Sequence, residues 1–501
     1  MQSLTQTLSP DITVATEKKA FDWQLLLTVS ILILCGSFTY ATYSPPVNAA
    51  ALSLIVGLFY YSLQRNDPIS FFIQLFIGNF FIFGNKFGGN YNIAALSAVV
   101  FYTAINGRIS FLRPSTLDGS SKTALLIWIV FDLLSVTGGN HFPVFIEFQN
   151  FFAFCMMLYL VYFVSRIPFT PDDYYKIIVA IAIFFVYEFL IAANQKNEWY
   201  SSPFPFFPST DKSIEFDMGI VRSGSTLNNF EAFAESCVSL MCLLIPGILS
   251  GSLLKKSKPF YYFGIVSIVL ALMSIVYSGT RSSILLLPIA IAGSCFMLGK
   301  RLNLKFIILF IVAVGILAVA NVALKFVDLS VFEERSEDMD NISVTSVLNG
   351  DALNRGGLFP YAFKQMGKTN GFFGRGYFVS PDEYRYAHFA NQGNLFDGIS
   401  DYHNLYMSSF VMWGPIAFFA MMFLFFHTMY KGWKTYWAAR HQPKFTIDLL
   451  LGFNLLFIIL MINQFKIQFI RDINYFTVIM LLLALYSSLT SYVQQTVEDN
   501  P

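Results

Sequence analysis

Apolar runs follow one another along almost the whole chain, most of them close to the length that a lipid bilayer demands. The first covers 23–43. Others lie at 47–64, 68–83, 91–105, 123–137, 148–164, 177–193, 231–254, 259–277, 282–298, 306–324, 404–430, 446–463 and 473–493. A helix needs about 20 residues to cross the hydrocarbon core, and only an internally hydrogen-bonded backbone is tolerated there. The pattern predicts an all-α polytopic membrane protein with about 14 transmembrane helices. Composition agrees: 55% of the 501 residues are apolar and 13% are charged, against about 25% charged in a soluble protein. A soluble, disordered or fibrous chain is excluded. A net charge of +1 gives no basic excess for nucleic acid. Cys35, Cys155, Cys237, Cys242 and Cys295 all fall in apolar runs without CxxC or zinc-ligand spacing, and read as small packing residues.

The first run is too long for a signal-peptide core and ends at Ser44-Pro45-Pro46, so it reads as an uncleaved helix. Lys and Arg in the short loops set the orientation. Loops 65–67, 106–122, 165–176, 255–258, 299–305 and 431–445 hold 16 of them, and the alternate loops 44–46, 84–90, 138–147, 278–281 and 464–472 hold 4. Both termini are therefore expected in the cytoplasm of a multi-pass protein.

The expected organisation is a cytoplasmic tail (1–22), helices 1–11 (23–324), a large outer loop (325–402), helices 12–14 (403–493) and a second cytoplasmic tail (494–501). A smaller outer loop, 194–230, interrupts the first group. Loop 325–402 carries 11 acids and 7 bases with Phe, Tyr and Gly in mixed spacing, the composition of a small folded cap. Long loops in compact proteins are commonly functional.

Few basic residues are expected outside, which singles each one out. Arg222 stands in Arg222-Ser223-Gly224-Ser225-Thr226-Leu227-Asn228-Asn229 before a span, and Arg281 in Ser278-Gly279-Thr280-Arg281-Ser282-Ser283 at the start of one. Arg355 and Arg375 lie among glycines in the large loop. Guanidinium groups bind phosphate oxygens bidentately, and neighbouring Gly, Ser and Thr permit close backbone approach, so the set suits a pyrophosphate or another lipid-borne anion. A snorkelling arginine is the plain alternative for Arg281, and a solvated arginine for the loop pair. His403, at a loop–helix junction beside Asp401, Tyr402 and Asn404, suits a general base or a phosphate contact. Asp401 would orient it or cap the helix. Asp132, Glu188, Glu231 and Glu235 lie in or beside apolar runs and read as hydrogen-bonded interhelical contacts or as polar sites. No HExxH, P-loop or GxSxG occurs.

These motifs, in this order, resemble the O-antigen ligase/O-antigen polymerase superfamily of bacterial envelope glycosyltransferases. The resemblance rests on Arg222–Asn229, on Ser278–Ser283, on Gly371-Phe372-Phe373-Gly374-Arg375-Gly376-Tyr377, and on His403-Asn404-Leu405-Tyr406 with Trp413-Gly414. It covers about 220–430. Pro415 stands where the family usually has an aliphatic residue, and Gly367 lies only near the family's spacing from Arg355. The resemblance implies a glycan donor on undecaprenyl pyrophosphate, used at the periplasmic face of the bacterial inner membrane without metal or other cofactor. Arg222, Arg281 and Arg355 would hold the pyrophosphate, and His403 would take the acceptor's hydroxyl proton. Loop 325–402 would bind sugar, with Tyr377, Tyr384, Tyr386 and Tyr402 as stacking surfaces and Asn404, Arg375 and Asp401 in support. The acceptor would be a growing glycan, for an O-antigen or exopolysaccharide polymerase, or lipid A core or protein, for a ligase. A chain-length regulator is a further partner of the polymerase reading. A lipid-linked glycan flippase is the alternative from another class, but the two long outer loops are asymmetric and no internal repeat is present.

Overall fold

The computed structural model describes residues 23–41, 45–79, 89–107, 109–138, 144–197, 214–217, 220–227, 229–305, 307–308, 312, 373–374, 376, 404–442, 444–465, 469–471 and 473–498. Apolar sequence in lipid must close its backbone hydrogen bonds locally, and the described runs do so as helices. The first group is α1 (Trp23–Ala41), α2 (Pro45–Gln64), α3 (Pro68–Ile77), α4 (Gly89–Ile105), α5 (Gly119–Gly138), α6 (Val144–Val164) and α7 (Pro171–Asn197). An antiparallel hairpin follows, β1 (Ile214–Asp217) and β2 (Ile220–Ser223), with Glu215 opposite Arg222. Then come α8 (Phe230–Leu249), α9 (Ser252–Lys256), α10 (Lys258–Ser278), α11 (Arg281–Leu298), α12 (Leu405–Ala439), α13 (Phe445–Asn463) and α14 (Ile473–Glu498).

Among the described residues, eight helices are long and apolar enough to cross a membrane: α5, α7, α8, α10, α11, α12, α13 and α14. Shorter apolar helical stretches lie in α1, α2, α3, α4 and α6. Thirteen of the fourteen apolar runs thus fall on helices, and 306–324 lies almost wholly outside the described residues.

Within loop 194–230, the alternation of Ile214 and Phe216 with Glu215 and Asp217 suits the first strand of the short two-stranded ladder. Two expectations need correction. Run 231–254 is two helices, since Gly251 adopts φ 73° and ends one before α9 begins. The single span expected at 404–430 is broken at Gly414 (φ 80°, ψ 171°) and continues to Ala439. Pro415 is the cause of the break. It has no N–H and its ring clashes with the carbonyl one turn back, so the first half stops at Trp413 and proline opens the second half, where its fixed φ is suited.

α8 lies at the centre. Every residue from Glu231 to Leu249 is buried, and α8 packs on α10, α11 and α13. Gly452 allows α13 to approach closely, since a methyl there would lie 2.7 Å from the carbonyl oxygen of Cys242. The helices define two ends of the bundle. The N-termini of α8, α11, α12 and α14 share one end with the C-termini of α7, α10 and α13. At the opposite end lie Arg113, Lys122, Arg166, Lys255, Lys256, Lys300, Arg301, Lys431, Lys434 and Arg440. There Asp118 accepts from His427 Nε2 (2.7 Å) and Lys431 Nζ (2.5 Å), joining α5 to α12. Arg301 pairs with buried Asp448 at 2.7 Å.

Candidate active site

The site is assembled around the N-terminus of α8. Asn229 caps this helix, its Oδ1 accepting from the N–H groups of Glu231 and Ala232, both at 3.0 Å. The preceding Arg222–Asn229 segment is fastened to the end of α7 by hydrogen bonds between buried polar groups. Gln195 Oε1 accepts from the Ser223 hydroxyl (2.5 Å) and the Ser225 N–H (2.9 Å), while its Nε2 donates to the Ser225 carbonyl (3.2 Å). One turn pair below, Glu188 accepts from the Thr226 hydroxyl (2.7 Å) and N–H (3.3 Å), and Ser225 Oγ donates to the Glu188 carbonyl (2.8 Å). Ser225 is held at φ 50°, a conformation costly for a residue with a Cβ. The grip of Gln195 and Glu188 is what keeps it there.

The second motif turns on Gly279, at φ 62°, which ends α10. The Ser278 hydroxyl donates to the Ile275 carbonyl (2.7 Å) and accepts from the Thr280 N–H (3.2 Å). Thr280 Oγ1 in turn donates to the carbonyl of Phe230, the first residue of α8, at 3.4 Å. Arg281 is the first residue of α11, and Thr280 gives that helix no side-chain cap.

The third motif opens α12. Asn404 Oδ1 accepts from the N–H groups of Tyr406 (2.9 Å) and Met407 (3.2 Å), and its Nδ2 donates to the Phe465 carbonyl (3.2 Å). The Leu405 N–H donates to the Gln464 carbonyl (2.9 Å) and the Tyr406 hydroxyl to that of Met461 (2.6 Å). The start of α12 is thereby bound to the end of α13.

The glycine-rich turn docks on the break in α12. The Gly376 N–H donates to the Met412 carbonyl at 2.9 Å, satisfying a group that the break leaves without its helical partner. A methyl on Gly374, itself at φ 69°, would lie 2.3 Å from that carbonyl oxygen and 2.4 Å from the Gly414 nitrogen. Phe373 stacks on Phe131 of α5 at 6.1 Å. Glycine is required at 374 and 414 for conformation, and at 374 also for contact.

The structure thus brings the backbones carrying Arg222 and Arg281 to the end of the bundle where Asn404 begins α12. Asn404, expected to contact sugar or to support the site, spends its amide on the helix cap and on Phe465. His403, Arg355, Arg375, Tyr377, Tyr384, Tyr386, Asp401 and Tyr402 lie outside the described residues. Gln195 and Gln464 had not been singled out in the sequence, and no local motif marks either. Glu188, read as an interhelical contact or a polar site, accepts from Thr226 of the loop before α8; its place in an apolar run was the available signal.

The fold and this gathering of polar motifs define a multi-pass helical membrane protein with a polar site at the end of the bundle where α8 begins. Residues 266–422 match the family model described as O-antigen ligase, from α10 through the first part of α12. This match supports the resemblance of the chain to the O-antigen ligase/O-antigen polymerase superfamily over that segment, and suggests a glycosyl-transferring domain of the O-antigen ligase type. No curated protein matches the chain.

Proposed function

We propose that the chain transfers glycan from undecaprenyl pyrophosphate at the periplasmic face of the inner membrane, polymerising O-antigen or exopolysaccharide repeat units. The observation that carries this reading is the convergence of the Arg222, Arg281 and Asn404 segments on the α8 N-terminus, within and beside the matched domain. The basic residues at the opposite end support placing that opposite end in the cytoplasm.

In the proposed reaction, Arg222 and Arg281, with Arg355, hold the pyrophosphate and balance its growing charge. The N-terminus of α11, which lacks a side-chain cap from Thr280, adds a favourable field for an anion. The acceptor hydroxyl attacks the anomeric carbon, the bond from that carbon to the pyrophosphate oxygen breaks, and His403 receives the hydroxyl proton. Undecaprenyl pyrophosphate departs. No step draws on a metal. Loop 325–402 covers the site, a role supported by the docking of Gly374 and Gly376 on α12. A second reading, ligation of finished glycan to lipid A core, is favoured by the description of the matched family model.

The test uses purified protein and a polyprenyl-pyrophosphate repeat unit without other acceptor. A ladder of repeat multiples establishes the polymerase. Its absence, with transfer to added lipid A core, establishes the ligase. Absence of both defeats the glycosyltransferase reading and turns the test to transport. Arg281→Ala and His403→Ala are expected to remain folded and inserted and to lose turnover. Wild-type turnover in either removes that residue from the mechanism.

A further inference from the structure

Glu235 lies one turn into α8 and is 2% exposed, enclosed by apolar helices. Its carboxyl group receives donors only. Asn463 Nδ2 donates to Oε2 and the Tyr475 hydroxyl to Oε1 (2.9 Å), while Gln464 Nε2 bridges both oxygens at 3.1 Å each. The three donors come from the end of α13, the turn after it and the start of α14. The same turn then carries the contact outward. Gln464 Oε1 accepts from the Phe469 N–H at 2.8 Å, and the carbonyls of Gln464 and Phe465 accept from Leu405 and Asn404. Two side-chain or backbone hydrogen bonds therefore separate Glu235 from the residue that follows His403 in the chain.

Burying a carboxylate is costly, and α8 already adheres to α13 by close apolar packing at Gly452. Adhesion alone does not require a carboxyl group. What it adds is direction: two oxygens on which three donors from separate segments converge. Resting on the glycosyltransferase reading above, we propose that Glu235 is a positioning residue, a carboxyl clamp that fixes the start of α12, which follows His403 in the chain, against α8 and the two arginine segments.

The experiment compares the full-length wild type with Glu235→Gln, Tyr475→Phe and the exchanged pair Glu235→Gln/Asn463→Asp in lipid nanodiscs. Backbone hydrogen exchange and steady-state transfer kinetics are read on the same samples. In Glu235→Gln an amide donor faces the other donors. Exchange at 404–408 and 463–470 is expected to rise about tenfold, while 282–290 stays at the wild-type rate. The kcat is expected to fall on the order of 100-fold, as for a small misplacement of a reacting group, with the KM for the lipid-linked donor within about threefold. Tyr475→Phe moves both readouts the same way by less, and decides the matter if Glu235→Gln does not fold. The exchanged pair returns a carboxylate to the cluster and recovers part of both. Unchanged exchange at 404–408 in a folded variant overturns the clamp. Raised exchange with unchanged kcat overturns its part in the reaction. A wild type that transfers no glycan defeats the functional reading instead, and does so in a different measurement.

Discussion

Replacing Gly374 by alanine tests whether the glycine-rich turn must sit on the break in α12. Two costs add. An L-residue at φ 69° costs about 1–2 kcal/mol. The new methyl would lie 2.3–2.5 Å from Met412 O, Gly414 N and Trp413 C, all backbone atoms, so no rotamer change relieves it. The turn must lift away, and the Gly376 N–H···O=C Met412 hydrogen bond goes with it, about 1 kcal/mol. A total of about 2–3 kcal/mol corresponds to roughly a 30- to 150-fold loss of the docked state. The control is Gly299→Ala, at φ 50° with no atom within 4 Å of the new methyl, which bears only the backbone strain. Glycan transfer and limited proteolysis between 377 and 403 are the assays. Gly374→Ala should lose transfer and gain cleavage, while Gly299→Ala keeps transfer. Equal behaviour of the two variants would refute the docking argument.

Thr226→Val removes a hydroxyl that Glu188 accepts, and should lower the thermal stability of the purified protein by about 1–3 kcal/mol, with transfer activity falling further than the melting temperature indicates. Gly452→Ala places a methyl 2.7 Å from Cys242 O and 3.0 Å from Leu243 Cα; overpacking of about 1–3 kcal/mol is expected in a melt, whereas Gly57→Ala, with open space around it, should be neutral or stabilising. Part burial by itself pushes the Asp118 carboxyl up, but the hydrogen bonds from Lys431 and His427 outweigh it and hold the group well below the usual carboxylate range. A folded pKa below the unfolded one gives stability that is fully present above about pH 4, the unfolded value, and is lost progressively as pH falls from there through the lower folded value. Asp118→Asn should therefore melt below the wild type at neutral pH, and the difference should shrink in melts taken below about pH 4.

Much of the fold was legible because lipid reads a sequence in one dimension. Each apolar run must become a helix by its own hydrogen bonds, and the charges left over collect at one end, so span positions needed no knowledge of neighbours. Local roles of single residues were less legible: Asp401 was the cap considered, whereas Asn229 and Asn404 cap helices, and Gly279, read as permitting close backbone approach, ends α10. Pro415 stood out only as a departure from the family pattern, and its consequence, a broken α12, was not legible, because a proline in an apolar run can kink, end or restart a helix, and the outcome depends on what receives the freed carbonyl. Here Gly376 receives it.

The site belongs to the tertiary structure. Arg222 and Arg281 drew notice as basic residues in expected outer segments, but nothing near them in sequence indicates that Phe230 joins their two motifs, or that Gln195 and Glu188 hold the first. The link from Glu235 through Gln464 to Leu405 joins residues more than two hundred positions apart from one another or in separate helices. Such contacts arise from complementary donors and acceptors on surfaces that meet only after the helices pack. The apolar pattern by itself determined that this chain is a multi-pass helical membrane protein. Packing around α8 decided which of its polar residues stand together, because a buried hydrogen-bonding group is satisfied by whatever the fold brings to it and leaves no periodic trace in the sequence.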